Sequence, residues 1–159
     1  MTIDEVIRAV GEFECNRVEV TGGEPMFQEA TQTLLETLIS KGYQVMMETN
    51  GSRDLSKLPE KLVKIIDIKC PDSGAAGSFK ESNYACISKS DEIKFVISTI
   101  NDFEWAIERI AEKDLLSLCK INISPVDGKV DAGEVAQWIL DSGLDLRLNL
   151  QIHKYLDLP

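Results

Sequence analysis

The sequence lacks any run approaching the roughly 18 consecutive apolar residues that a membrane helix needs. Its opening, Met1 to Val10, also lacks the basic-then-apolar pattern of a secretory signal. The expectation is a cytoplasmic protein that meets no membrane. Positive charge is scarce: 17 Lys and Arg stand against 27 Asp and Glu, a net charge of −10. Binding a phosphate backbone depends on clustered cations that displace counterions. No such cluster occurs, so nucleic acid is not expected as a ligand. Cysteines are few and scattered, the closest pair, Cys70 and Cys86, lying 16 residues apart. Together with Cys15 and Cys119 they match neither a dense disulfide framework nor paired CxxC metal ligands. Each is expected to be a buried, reduced thiol.

What is present suits one globular domain. The chain has 159 residues, close to the usual ~150 for a single domain. With 43% hydrophobic residues it can bury a sizeable core. No linker or low-complexity tract divides it, so residues 1–159 are expected to form one unit.

Helix and strand signals alternate along the chain. Thr2 with Glu5 forms a capping box, and Val6, Ile7 and Val10 give a first helix its apolar face, ending near Gly11. A β-branched run from Arg17 to Thr21 then stops at Gly22-Gly23. Leu34, Leu35, Leu38 and Ile39 follow at helical spacing up to Gly42. Further strands are predicted at Gln44 to Glu48, Ile65 to Lys69, Ile93 to Ile97, Lys120 to Ile123 and Leu146 to Ile152. Helices are predicted around Ala106 to Ala111 and from the Asp131 cap to Gly143. Six strands joined by long connections imply a parallel sheet with crossover helices. Periodicity leaves open a doubly wound sheet or a partial (β/α) barrel. Either fold gathers its functional loops beyond the strand C-termini.

Those loops are where polar groups collect. After the first strand comes Thr21-Gly22-Gly23-Glu24-Pro25, where two glycines let backbone approach a ligand and Glu24 adds a carboxylate suited to an amine. Glu48-Thr49-Asn50-Gly51 follows the second strand, Asp67-Ile68-Lys69-Cys70-Pro71 the third, and Ser124-Pro125-Val126-Asp127 the fifth. Each has a plainer reading. Gly-Gly and Asn-Gly are ordinary turn formers. Lys69 could end its strand with its head in solvent, and Glu48 could bind its own turn's amides. Trp105 and Trp138 sit within helices and read as packing residues.

The Gly22-Gly23-Glu24-Pro25 turn, with Glu48-Thr49-Asn50-Gly51 one βα unit later, resembles the radical S-adenosylmethionine superfamily, in which a GGEP turn binds the methionyl amino group. Asp67 to Gly74 and Leu148 to Lys154 resemble, more narrowly, the 7-carboxy-7-deazaguanine synthases of the queuosine and 7-deazapurine pathway. The resemblance implies a partial (β/α) barrel of parallel strands missing its first strand. It also implies a lyase that uses S-adenosylmethionine, a [4Fe–4S] cluster, Mg²⁺ and an external electron donor. In that chemistry a reduced cluster cleaves S-adenosylmethionine, and the resulting 5′-deoxyadenosyl radical abstracts hydrogen from 6-carboxy-5,6,7,8-tetrahydropterin. Ring contraction with loss of ammonia gives 7-carboxy-7-deazaguanine.

Carried over residue by residue, the resemblance places Gly22, Gly23, Glu24, Pro25, Glu48, Asn50, Asp67, Ile68, Lys69, Ser124, Pro125, Val126 and Asp127 on S-adenosylmethionine. It places Thr21, His153, the only histidine, and the terminal Pro159 on the pterin substrate. It also implies a homodimer. The family's CxxxCxxC triplet, which holds the cluster, does not occur here, and no residue is assigned to iron or magnesium. Together with the helix-first start, this reads as a chain truncated at its N-terminus or the C-terminal part of a split gene, with a native C-terminus. Arg17 to Thr21 is then expected to form an open sheet edge. Two rival readings are a radical S-adenosylmethionine activase that makes a glycyl radical on a partner, and a non-catalytic scaffold that has lost the cluster.

Overall fold

The computed structural model describes residues 1–152 and Leu156. Helix α1 (Ile3–Val10) leads into β1 (Arg17–Val20), α2 (Thr31–Ser40), β2 (Gln44–Thr49) and β3 (Val63–Ile68). Then come β4 (Glu92–Ile97), α3 (Ile100–Glu112), α4 (Leu115–Leu118), β5 (Lys120–Pro125), α5 (Ala132–Ser142) and β6 (Leu146–Leu148). Local signals set the helix ends. The Thr2 hydroxyl accepts the Glu5 N–H at 3.2 Å while Glu5 accepts the Thr2 N–H at 2.7 Å, closing the capping box. Asp131 caps α5 through the Gly133 and Glu134 amides, and Gly143 ends it at φ +65°.

The six strands form one parallel sheet in the order β1-β2-β3-β4-β5-β6. Every crossover therefore advances the same way, and right-handed connections then lie on one face. A doubly wound sheet would need a reversal, so the open choice resolves to the partial barrel. The sheet does not close: β1 and β6 are its edges, and among the described residues no strand pairs the outer side of β1.

Alternation along the strands separates two faces. Val45, Met47, Ile66, Ile68, Ile93, Phe95, Ile97, Ile121 and Ile123 point to the helical side. There they bury against Leu35 and Leu38 of α2, Phe103, Ala106 and Ile110 of α3, and Val135 and Ile139 of α5. Each such side chain contributes roughly 1.5–3 kcal/mol of transfer free energy. Trp105 meets Phe95 edge-on at 6.2 Å, and Trp138 packs 5.8 Å from Phe103, so both tryptophans are packing residues. The opposite face carries Glu19, Glu48, Asp67, Lys94 and Asn122; Asp67 lies in register with Lys94, and Lys94 with Asn122.

Three sequence expectations need correction. First, the crossovers 50–62 and 69–91 contain no α-helix, only turns and short 3-10 segments such as Pro71–Ser73 and Glu81–Cys86. Gly51, Pro59, Pro71, Gly74 and Gly77 break helical continuity there, and Leu55 and Leu62 fill the space under the sheet instead. Second, β6 stops at Leu148 rather than Ile152. The Asn149 amide still reaches the Ile123 carbonyl at 2.8 Å, but the neighbouring β5 ends two residues on, at Pro125, which has no N–H to donate. Third, the cysteines are not all core thiols. Cys70 and Cys119 are buried and Cys86 is half-buried, whereas Cys15 is exposed in the α1–β1 connection.

Candidate functional site

Parallel strands deliver their following loops to one end of the sheet. At that end β1, β2 and β3 surround a cavity of about 360 Å³ lined by Thr21, Gly22, Gly23, Glu48, Thr49, Asn50, Asp67 and Lys69. Three separate sequence motifs are thus brought to one wall. A larger hollow of about 560 Å³ lies at the other end, near Arg17, Tyr43, Val45 and Val63. It gathers none of the loop motifs that carry the chemistry.

Gly22 and Gly23 adopt φ +98° and +55°. Those angles favour glycine, and a side chain at either position would meet nothing within 4 Å. The backbone conformation demands the glycines, and the turn leaves open surface beside them. Glu24, 9% exposed, lies beneath the turn. One carboxylate oxygen accepts the Met26 N–H at 3.1 Å and the Thr49 hydroxyl at 2.8 Å; the other accepts the Asn50 N–H at 2.7 Å. Its role is to bind the two loops together, and Pro25 is buried with it.

Behind the second loop, the fully buried Asn83 accepts the Leu55 N–H and donates to the Gly51 and Arg53 carbonyls. Gly51 sits at φ +65° with Phe79 packed where a side chain would be, 2.4 Å from the position of a Cβ. The buried Asp102 accepts the Asp72 N–H at 3.0 Å and the Ser98 N–H at 2.9 Å, tying the loop after β3 to the start of α3.

Glu48 does not bind its own turn, and Lys69 does not end in open solvent. Glu48 pairs with Lys94 of β4 through one oxygen and accepts the Thr21 hydroxyl at 3.1 Å through the other. Burial works to raise its carboxyl, but Lys94 and Thr21 outweigh it, leaving Glu48 below the ordinary range. Burial and the Glu48 charge push Glu19 upward, with Lys94 opposing them. Lys69 reaches back to Asp67 Oδ2 at 2.7 Å. Asp67 is 8% exposed, and its Oδ1 is buried with no hydrogen-bond partner among the described residues. A buried carboxylate oxygen without a donor is costly and unusual.

Other candidate residues are placed differently. Ile68 is buried on the helical side of the sheet, away from the cavity. Ser124 and Pro125 are buried at the end of β5, where Val126 donates to the Ile97 carbonyl at 2.9 Å and Asp127 is exposed. They share the sheet end but not this cavity wall. His153 and Pro159 lie outside the described residues.

Among the described residues no three His, Cys, Asp or Glu side chains converge on a metal position. Burial drives the Cys70 thiol up to about 12, with Asp102 and Asp67 adding, and the Cys119 thiol up to about 11, with Asp91 adding. Cys70 and Cys119 belong to no cluster of three candidate ligands among the described residues. What the cavity offers an organic ligand is open backbone at Gly22-Gly23 and the Asp67–Lys69 pair in its wall.

Lys94, Asn83 and Asp102 stand in none of the loop motifs that the sequence displays. For Lys94 a signal existed. Strands of a parallel sheet covered on both faces read as near-continuous apolar runs, whereas Glu92-Ile93-Lys94-Phe95 alternates. Charged residues at alternate strand positions mark a face with another occupant. Asn83 and Asp102 lie 30 or more residues from several of their partners, and no local pattern announces them.

Comparison with known proteins gives a consistent result. The protein of Koribacter versatilis named 7-carboxy-7-deazaguanine synthase is 40% identical over 156 residues, covering 89% of this chain and 69% of that protein. Its namesake from Chlorobaculum tepidum is 36% identical over 159 residues, covering 98% of this chain and 72% of the relative. Among solved structures, QueE from Escherichia coli superposes with a TM-score of 0.74 at 19% identity, over 95% of this chain and 64% of that one. SuiB of Streptococcus suis bound to S-adenosylmethionine gives a TM-score of 0.58 at 13% identity, over 92% and 40% of the two chains. Both superpositions establish a shared fold. No protein-family model matches the chain.

Proposed function

Because this chain belongs to the 7-carboxy-7-deazaguanine synthase family, we propose that the cavity at the ends of β1, β2 and β3 holds S-adenosylmethionine and the pterin substrate for that reaction. The substrate is 6-carboxy-5,6,7,8-tetrahydropterin and the product 7-carboxy-7-deazaguanine, formed with loss of ammonia. The observation that carries the reading is the convergence of the turns after β1, β2 and β3 on one cavity, with open backbone at Gly22 and Gly23 and the Asp67 carboxylate in its wall.

Gly22 and Gly23 let the cofactor approach backbone, and Asn50 and Lys69 complete that wall. Glu24 and Pro25 act from beneath, by fixing the turn. Ile68 contributes only through its backbone, and Ser124, Pro125, Val126 and Asp127, at the same sheet end but off this wall, are assigned to the rest of the cofactor. Thr21, His153 and Pro159 are assigned to the substrate. S-adenosylmethionine, when bound and given an electron by the external donor, would supply radical chemistry that no amino-acid side chain here provides. The chain's own residues bind, orient and desolvate. The family's iron–sulfur cluster and Mg²⁺ find no ligand set among the described residues, so no step is assigned to them. An external electron donor, a homodimer and a cytoplasmic setting belong to the same reading.

Calorimetric titration tests it. Wild-type chain should bind S-adenosylmethionine at one site, and Gly23→Ala, which puts a methyl on the open turn, should weaken binding tenfold or more. Heat changes no larger than dilution for the wild type would sink the reading.

A further inference from the structure

Lys94 lies on β4, yet its ammonium passes β3 to reach Glu48 on β2. The span is two strand spacings, about 9.6 Å, so both side chains extend toward each other across the polar face. We propose that Lys94 is a positioning residue for Glu48. It holds the carboxylate at the cavity wall, bonded to Thr21, with only acceptor capacity toward an occupant. The cavity thereby selects a ligand edge built of N–H or O–H donors. The inference rests on the reading of this cavity as the substrate and cofactor pocket.

The surroundings of Glu48 show why one cation decides its state. β1 contributes Thr21 and Glu19, β3 contributes Asp67 and Lys69, and β4 contributes Lys94. Lys69 is engaged by Asp67 at 2.7 Å and adds a weaker, longer-range pull on Glu48, whereas Lys94 bonds Glu48 directly and is the cation that Glu48 and Glu19 share. Without it, two partly buried carboxylates face each other, and like charges at one site force one of them to keep a proton. A protonated Glu48 can donate as well as accept and loses the ion pair that fixes its rotamer. The upward push on Glu19 and the depressed Glu48 carboxyl are the two signs of this balance.

The experiment uses chain carrying ¹³C at the glutamate carboxyl, with the Glu48 resonance identified by its disappearance in Glu48→Gln. Its titration midpoint should rise by about one unit or more in Lys94→Met and return toward the wild-type value in Lys94→Arg. Lys94→Gln, which keeps a polar head, replaces the Met variant if that variant does not fold. In parallel, 6-carboxypterin, an oxidised and stable analogue of the substrate, is titrated by fluorescence. Lys94→Met should weaken it several-fold at pH values below the shifted midpoint, where Glu48 is protonated in the variant and ionised in the wild type; the deficit should shrink as pH rises past that midpoint, and Lys94→Arg should restore binding. An unchanged midpoint in Lys94→Met overturns the proposal, as does a shifted midpoint with unchanged affinity. If the midpoint shifts as expected but the wild type binds no 6-carboxypterin, Lys94 does hold Glu48 and the pterin reading is what fails.

Discussion

The Glu24 carboxylate accepts the Asn50 backbone N–H at 2.7 Å, across 26 residues of sequence. This bond, with the Thr49 hydroxyl at 2.8 Å, makes the loops after β1 and β2 one unit. The two motifs are informative together because one carboxylate satisfies donors from both.

Removing that carboxylate should therefore cost stability as well as function. Glu24→Ala leaves the Asn50 and Met26 amides and the Thr49 hydroxyl without an acceptor in a mostly buried place. Bonds to a charged group are worth about 1.5–3 kcal/mol each, with partial compensation by entering water. Urea denaturation should show a loss of about 3 kcal/mol, and Glu24→Gln should lose less. A change within about 0.5 kcal/mol, typical of uninvolved surface positions, would show that the loops do not depend on it.

Gly51 gives a second, geometric prediction. Its φ of +65° and the 2.4 Å approach of Phe79 to a would-be Cβ make Gly51→Ala doubly unfavourable, by about 2 kcal/mol or more. The double variant with Phe79→Ala relieves the clash but keeps the backbone strain. A double-mutant cycle should thus show a favourable coupling of roughly 1 kcal/mol. Strict additivity would mean that Phe79 moves aside freely.

Much of this arrangement was legible from sequence, because periodicity and punctuation are local. The Thr2 and Glu5 box, the Gly42 and Gly143 stops and all six strands follow from residues a few positions apart. The loop motifs were legible for the same reason: a parallel sheet puts every strand's C-terminal loop at one end. The topology that decides between a doubly wound sheet and a partial barrel was not, since it depends on pairing between distant strands. Nor was the division of labour among the carboxylates. Glu24 and Glu48 sit in equally suggestive motifs, but Glu24 is spent on three internal donors and Glu48 on Lys94 and Thr21. The shortness of β6 depended on where its neighbour ended.

The cysteines differ in a way that reagents can read. Cys15 is exposed and Cys86 half-buried, while Cys70 and Cys119 are buried with thiols pushed up to about 12 and about 11. At mildly alkaline pH a thiol-specific alkylating reagent should modify Cys15 first and Cys86 more slowly, leaving Cys70 and Cys119 until unfolding. The same shifts fix a pH dependence. Unfolded, these thiols ionise near their ordinary value of 9.0; folded, they keep their protons longer. The unfolded state then binds fewer protons, so stability falls as pH rises from about 9 toward 12. Cys70→Ser should flatten that decline, and an equally steep decline in the variant would assign it elsewhere.

Asp67 offers the sharpest separation between fold and ligand. Its Oδ1 has no partner among the described residues, and its Oδ2 pairs with Lys69, whose side chain is 32% exposed. A pair open to water at one end is worth only about 0–1 kcal/mol. Asp67→Asn keeps the volume, so the ligand-free chain should unfold within about 1 kcal/mol of wild type. The ligand-bound chain should not. At a hundredfold excess over its dissociation constant, a ligand that binds only the native state adds about 2.7 kcal/mol. S-adenosylmethionine should give wild type that increment and Asp67→Asn little of it at the same concentration. Paired urea curves with and without S-adenosylmethionine measure both quantities. A several-kcal/mol loss in the ligand-free variant would make Asp67 a structural residue whose bare oxygen needs no ligand to explain it. Equal ligand stabilisation of both proteins would move the cofactor's contact off this carboxylate altogether.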